Sequence, residues 1–205
     1  MKPSSELLAH FKGGSDQIVA YAQILKTTGI ERGLIGPKEG DRIWERHIAN
    51  CLPITTLIPQ GVRVGDIGSG AGLPGIVIAL ARPDLKVTLI EPLQRRFDFL
   101  NEVISELHLP IEVIRGRSET VKKQFEVVTA RAVAPLEKLI QISWHMIPRG
   151  GCLLAIKGEQ VEAEMASTKL KKGATALAVT TSNCIFTASA LPRTTLMGSS
   201  SSAIT

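Results

Sequence analysis

A chain of 205 residues, 44% hydrophobic and 21% charged, holds enough apolar material for a globular core, and no apolar stretch reaches the length of about 18 residues that a membrane span needs. Its net charge of +5 suits either an anionic partner such as nucleic acid or a basic solvated surface. The start of the chain lacks an apolar run of signal-peptide type, so a cytoplasmic protein that does not engage a membrane is expected.

Residues 1 to about 60 read as helices and loops. Ile18, Tyr21, Ala22 and Leu25 recur at helical spacing, with Gly13-Gly14 and Gly29 as breakers on either side. Gly33, Gly36, Pro37 and Gly40 mark a loop, and Ile43, Trp44, His47, Ile48 and Leu52 suggest a short helix ending before Pro53. From Gly61 the pattern changes to strand, glycine-rich turn, helix, strand. Val62–Ile67 is an apolar strand run, Ile76–Ala81 a helix, and Lys86–Ile90 the next strand. Pro92 suits a first helical turn, and Leu93, Phe97, Leu100, Ile104 and Leu107 then form an amphipathic stripe. Further strands are expected over 111–114, 127–130 and 152–156, with helices over 136–146 and 161–170. Residues 174–196 suit two terminal strands, and the Ser-rich 198–205 a disordered tail. Alternating strands and helices predict a doubly wound α/β fold with a mostly parallel sheet. The organisation expected is a helical unit over 1–60, a core over 61–197 and the tail.

The run from Asp66 to Gly75 follows a strand and opens a helix. Its glycines let the backbone turn tightly and lie against a ligand at the carboxyl end of a strand. Gly70 to Gly75 matches GxGxxG, the dinucleotide pattern. Two details argue for a different ligand. Asp66 stands where a carboxylate meets the ammonium of an aminoacyl group and repels a pyrophosphate. Pro74 removes an amide donor where phosphate would want one. S-adenosylmethionine carries no phosphate and suits the loop better. The other reading of Asp66 is a cap on the turn. Glu91, ending the second strand, is placed to accept hydrogen bonds from both ribose hydroxyls, though strand-end carboxylates are often merely solvated.

These residues resemble a family. Gly65 to Gly75, with its Leu-Pro-Gly ending, looks like the signature of the bacterial 16S ribosomal RNA guanine-N7 methyltransferases (RsmG, also called GidB). Glu45–Ile48, Glu91–Leu100, Arg117-Ser118-Glu119, Arg131–Leu136 and Lys157-Gly158 match in order and spacing, so the resemblance runs from about residue 16 to residue 160. It implies a seven-stranded, Rossmann-like class I methyltransferase core under an N-terminal helical cap, and methylation of guanine N7 in the 530 loop of 16S RNA. The cofactor contacts it implies are Gly68, Leu73, Ser118, Glu119 and Arg131, beside Asp66, Gly70 and Glu91 from the loop itself. The chain departs from the pattern at Asn50-Cys51, at Arg32–Ile35 and in its Ser-rich end.

Guanine N7 bears a free lone pair and no proton, so that reaction needs positioning and no general base. This agrees with a chain showing no Ser-His-Asp, Cys-His or paired-carboxylate arrangement. Three scattered cysteines (Cys51, Cys152, Cys184) and four histidines without ligand spacing argue against disulfides and structural zinc. Arg131 is the candidate for positioning the base, and His47, Arg96 and Lys157 for contacting RNA. Further basic pairs (Arg95 and Arg96, Arg115 and Arg117, Lys122 and Lys123) lie toward the same sheet edge, where phosphate contacts would make affinity fall with salt. Aromatic residues are 4%, too few for a stacking platform. The expected partner is 16S RNA or the 30S subunit, bound by a monomer. The alternatives are a methyltransferase for a small molecule or protein, a nicotinamide-dependent oxidoreductase sharing the glycine turn, and a non-catalytic RNA-binding protein.

Overall fold

A computed structural model describes residues 3–158, 163, 164, 166, 168, 175–180 and 184–189. The helix expected over 161–170 lies mostly outside the described residues, and the tail over 198–205 entirely so. A short helix α1 (Ser5–Leu8) is capped by the Ser4 hydroxyl, which accepts from the Leu7 amide at 3.1 Å. Helix α2 (Ser15–Ile24) continues into a π-helical turn, Leu25–Gly29. The helix expected over 43–52 is instead a π-helical stretch, Ile43–Ile48, then a 3₁₀ turn, Ala49–Cys51, then α3 (Leu52–Thr55). Pro53 does not stop it. Proline sits in the first turn of α3, where a missing amide costs nothing.

Among the described residues seven strands follow: β1 (Arg63–Ile67), β2 (Lys86–Glu91), β3 (Glu112–Arg115), β4 (Val127–Arg131), β5 (Cys152–Ile156), β6 (Thr175–Thr180) and β7 (Cys184–Ser189). Their order is β3-β2-β1-β4-β5-β7-β6. The first five are parallel, and β7 pairs antiparallel to both β5 and β6. The helices between them are α4 (Gly75–Ala81), α5 (Gln94–Glu106) and α6 (Leu136–Ser143), the last prolonged by a 3₁₀ turn, Trp144–Met146.

Along β1, β2, β4 and β5 both faces of the sheet are buried, which is why these strands read as mostly apolar runs, while the edge strand β3 is partly exposed. Successive residues alternate between two clusters. Val64, Val87, Leu89, Val127 and Leu154 face α4, α5 and the residues before 60. Ile67, Ile90, Val128, Ala130 and Leu153 face α6. In α5 the buried residues are Phe99, Leu100 and Val103, with Leu107 just beyond it. Leu93, expected on that face, is 49% exposed, because it caps the helix in extended conformation and falls outside the helical period. Strand order reverses direction at β1, between β2 and β4. In open α/β sheets such a switch point, outside the carboxyl ends of the strands, is where ligands bind.

Candidate functional site

The candidate site is built around the loop from Gly68 to Pro74. Gly68, Gly70 and Gly72 have φ of 64°, 58° and 100°, in the left-handed region that glycine enters without steric cost. Two are also crowded. A Cβ on Gly68 would lie 2.8 Å from Val133 Cγ2, and one on Gly72 would lie 2.9 Å from the Tyr21 hydroxyl. Gly70 is different: a Cβ there would meet nothing nearer than the Gly68 carbonyl at 3.8 Å. The loop therefore presents bare backbone to open space at Gly70.

Glu91 closes the other side. It is 1% exposed at the end of β2, where its Oε2 accepts the Gly70 amide at 2.9 Å and its Oε1 the Leu93 amide at 2.9 Å. The Gly68 amide donates to the Ile90 carbonyl at 2.8 Å. Loop and strand end are thus one hydrogen-bonded unit, with a carboxylate at its base.

Asp66 has no exposed surface. Its Oδ1 accepts the Thr129 hydroxyl at 2.9 Å and its Oδ2 the Gly75 amide at 3.2 Å, at the start of α4. Of the two roles the sequence leaves open, this geometry is that of a cap on the turn. Burial pushes its carboxyl up to about 6, against hydrogen bonds from Ser69, Thr129 and Gly75 that hold it down. Leu73 is 8% exposed and packs with the apolar cluster on the α4 face.

Ser118 and Glu119 lie in a 3₁₀ turn after β3. Ser118 is buried and donates to Glu119 Oε2 at 3.2 Å. The Gly116 amide bonds the Glu91 carbonyl at 3.3 Å, which brings this turn beside the glycine loop. Gly68, Gly70, Glu91 and Ser118 therefore converge on one end of the sheet.

Arg131 ends β4 and points into the N-terminal helices. Its Nη1 donates to the His47 carbonyl at 3.2 Å, and its Nη2 to the Arg46 carbonyl at 3.1 Å and to His47 Nδ1 at 3.2 Å. A guanidinium can only donate, so Nδ1 accepts, and Nε2 carries the proton that His47 gives Glu39 at 3.2 Å. Burial and the Arg131 charge lower the His47 pKa, which keeps this tautomer neutral. The next residue, Ala132, has φ 54°, strained for a side chain with a Cβ. Lys157 bonds the Ala134 carbonyl at 2.9 Å and Glu164 at 2.8 Å. Arg96, at the start of α5, has a buried Nε without a hydrogen-bond partner among the described residues.

The spacing of Tyr21 marks it as helix core and carries no sign of a role at the site. It is fully buried, and its hydroxyl donates to the Ala71 carbonyl at 2.8 Å, across 50 residues of chain. Among the described residues no group of histidine, cysteine and acidic side chains could hold a metal ion, and no helix is long and apolar enough to cross a membrane.

The family described as GidB, rRNA small subunit methyltransferase G, matches residues 15–189. A protein of Thermobifida fusca (strain YX) named ribosomal RNA small subunit methyltransferase G is 54% identical over 152 residues, covering 73% of this chain and 64% of its own length. One of the same name from Acidothermus cellulolyticus is 56% identical over 149 residues, covering 72% of this chain and 67% of its own. The chain thus spans about two thirds of the length of such relatives. Among solved structures, MtNAS in complex with S-adenosylmethionine superposes with a TM-score of 0.61 at 16% identity, over 92% of this chain and 80% of that one. A ribosomal protein methylase from Lactobacillus delbrueckii subsp. bulgaricus gives 0.53 at 17% identity, over 68% and 74%. At these identities the likeness is one of fold.

Proposed function

The chain belongs to the rRNA small subunit methyltransferase G family, and from that premise we propose that it methylates N7 of a guanosine in the 530 loop of 16S ribosomal RNA, with S-adenosylmethionine as donor. The observation that carries the reading is the buried Glu91 carboxylate beneath the open backbone of Gly70. That arrangement fits a nucleoside whose ribose hydroxyls meet the carboxylate while its aminoacyl arm lies along the glycine loop. The cofactor supplies a methyl group on a cationic sulfur.

The chain's own residues then bind and orient. Gly68, Gly70 and Leu73 form the loop wall, and Glu91 holds the sugar. Ser118 and Glu119, one strand further out, border the base. Asp66 serves from beneath, fixing Gly75 and Thr129 so that the loop keeps its shape. Arg131, at the end of β4 and held by the Arg46 and His47 carbonyls, would offer its charge to the cofactor carboxylate or the target base. His47, Arg96 and Lys157 are the RNA side of the proposal, with Lys157 exchanging Glu164 for a phosphate oxygen. No residue is needed to remove a proton, since N7 carries none. The partner is 16S RNA, free or within the 30S subunit, met in the cytoplasm by a monomer.

Incubation with labelled cofactor and 30S subunits lacking this modification, followed by nucleoside analysis, tests the reading. Label in 7-methylguanosine from 16S RNA is the expected result. Label elsewhere, or none with subunits and free RNA alike, overturns it.

A further inference from the structure

We infer that Tyr21 is a positioning residue for the cofactor loop, holding it in shape from the N-terminal helices. This inference rests on the cofactor assignment above. The loop is strung between two side chains. On one side Glu91 accepts the Gly70 amide at 2.9 Å, and on the other the Tyr21 hydroxyl donates to the Ala71 carbonyl at 2.8 Å. The two bonds act on neighbouring residues from opposite elements, β2 and α2. The same hydroxyl would lie 2.9 Å from a Cβ on Gly72, so it also sets how closely the loop approaches α2.

A carbonyl oxygen only accepts, so the phenol must keep its proton to hold Ala71. Burial, with Cys51 and Asp66 nearby, raises the Tyr21 pKa well above its ordinary value and keeps the proton on. Ala71 is itself 7% exposed, so water has little access to replace the hydroxyl if it is removed. Tyr21 is fully buried and so has no surface to offer a ligand directly. It acts through Ala71, by fixing the bare backbone against which the cofactor lies.

Tyr21→Phe removes the one oxygen and keeps the ring in the core. Calorimetric titration with S-adenosylhomocysteine should show Kd about tenfold weaker, the scale of one lost hydrogen bond. In turnover, KM for the cofactor should rise while kcat at saturation stays within about twofold. Ile18→Val, a trimmed core residue on the same helix, should lower Tm and leave Kd unchanged. An unchanged Kd in Tyr21→Phe, or an equal weakening in Ile18→Val, overturns the inference by making the contact merely structural.

Failure of the unaltered protein to bind S-adenosylhomocysteine overturns the cofactor assignment, and the inference with it. Hydrogen exchange on the unaltered protein gives a second measurement if the variant does not fold. Ligand should slow exchange in 18–25 as well as in the loop, and protection confined to the loop also overturns the inference.

Discussion

A carboxylate with no exposed surface must find its donors inside the protein, and Asp66 finds them on two elements: the Thr129 hydroxyl on β4 and the Gly75 amide on α4. These donors do not fully offset the loss of water. The Glu91 carboxylate nearby adds to the burden, and the Asp66 pKa rises from 3.8 to about 6. Because the folded value lies above the unfolded one, folding takes up a proton between those limits. The stabilising effect of the neutral form is fully present below about 4 and is lost as pH rises through about 6. Over that interval the protein should lose stability relative to Asp66→Asn, which does not titrate, by up to about 3 kcal/mol. Urea denaturation of both proteins across that range measures it. Parallel stability curves would show that Asp66 ionises as it does in the unfolded chain.

Elements meet at this site through side chains that leave one secondary structure and terminate another. Arg131 leaves β4 and binds the carbonyls of Arg46 and His47, where a π-helical stretch ends and a 3₁₀ turn begins. Carbonyls at such a junction lack full partners within their own helix and carry partial negative charge. The guanidinium fork reaches both carbonyls and His47 Nδ1 at once, and an ammonium cannot span them. Arg131→Lys should therefore free the segment over 43–51 locally. Amide exchange there should quicken about tenfold, with β1 and β4 unchanged. Uniform acceleration across the molecule would instead mean that Arg131 supports the whole core.

Part of this architecture is written in residue order, and part is not. Strand β1, the glycine loop and α4 were legible because an apolar run, four glycines and a helical run follow in direct succession. Glu91 was legible because it ends the next apolar run. The irregular helices over 43–55 were not, since π and 3₁₀ turns break the 3.6-residue period on which a helix is recognised. Nor were the tethers. Tyr21 reaches Ala71 across 50 residues, Thr129 reaches Asp66 across 63, and Arg131 reaches His47 across 84. Sequence spacing carries no signal for contacts that only the completed sheet brings together.

The whole molecule is held by the way its N-terminal helices and its sheet share apolar surface. One cluster runs from Phe11, Ile18 and Leu25 through Ile48 and Ile54 to Val64, Ile76, Leu89 and Leu154. The residues before 60 thus supply part of the wall against which β1, β2 and α4 are buried. Gly14 packs on Leu80 so closely that a Cβ would lie 3.3 Å from both its side chain and its carbonyl. Phe11, Ile18, Leu25, Ile48 and Ile54 are each fully buried. At about 1.5–3 kcal/mol for each such side chain, their loss would rival the stability of about 5–15 kcal/mol that a domain retains over its unfolded state. Removing them also strips cover from Ile76, Leu80 and Leu89, so the cost falls on both sides of the junction. A fragment beginning at Gly61 keeps every strand and the complete glycine loop. It should nevertheless unfold without a cooperative thermal transition, followed by far-ultraviolet circular dichroism and by Trp144 fluorescence. A sharp transition near that of the full chain would mean that the sheet and the helices after it suffice, and that the first 60 residues are an appendage.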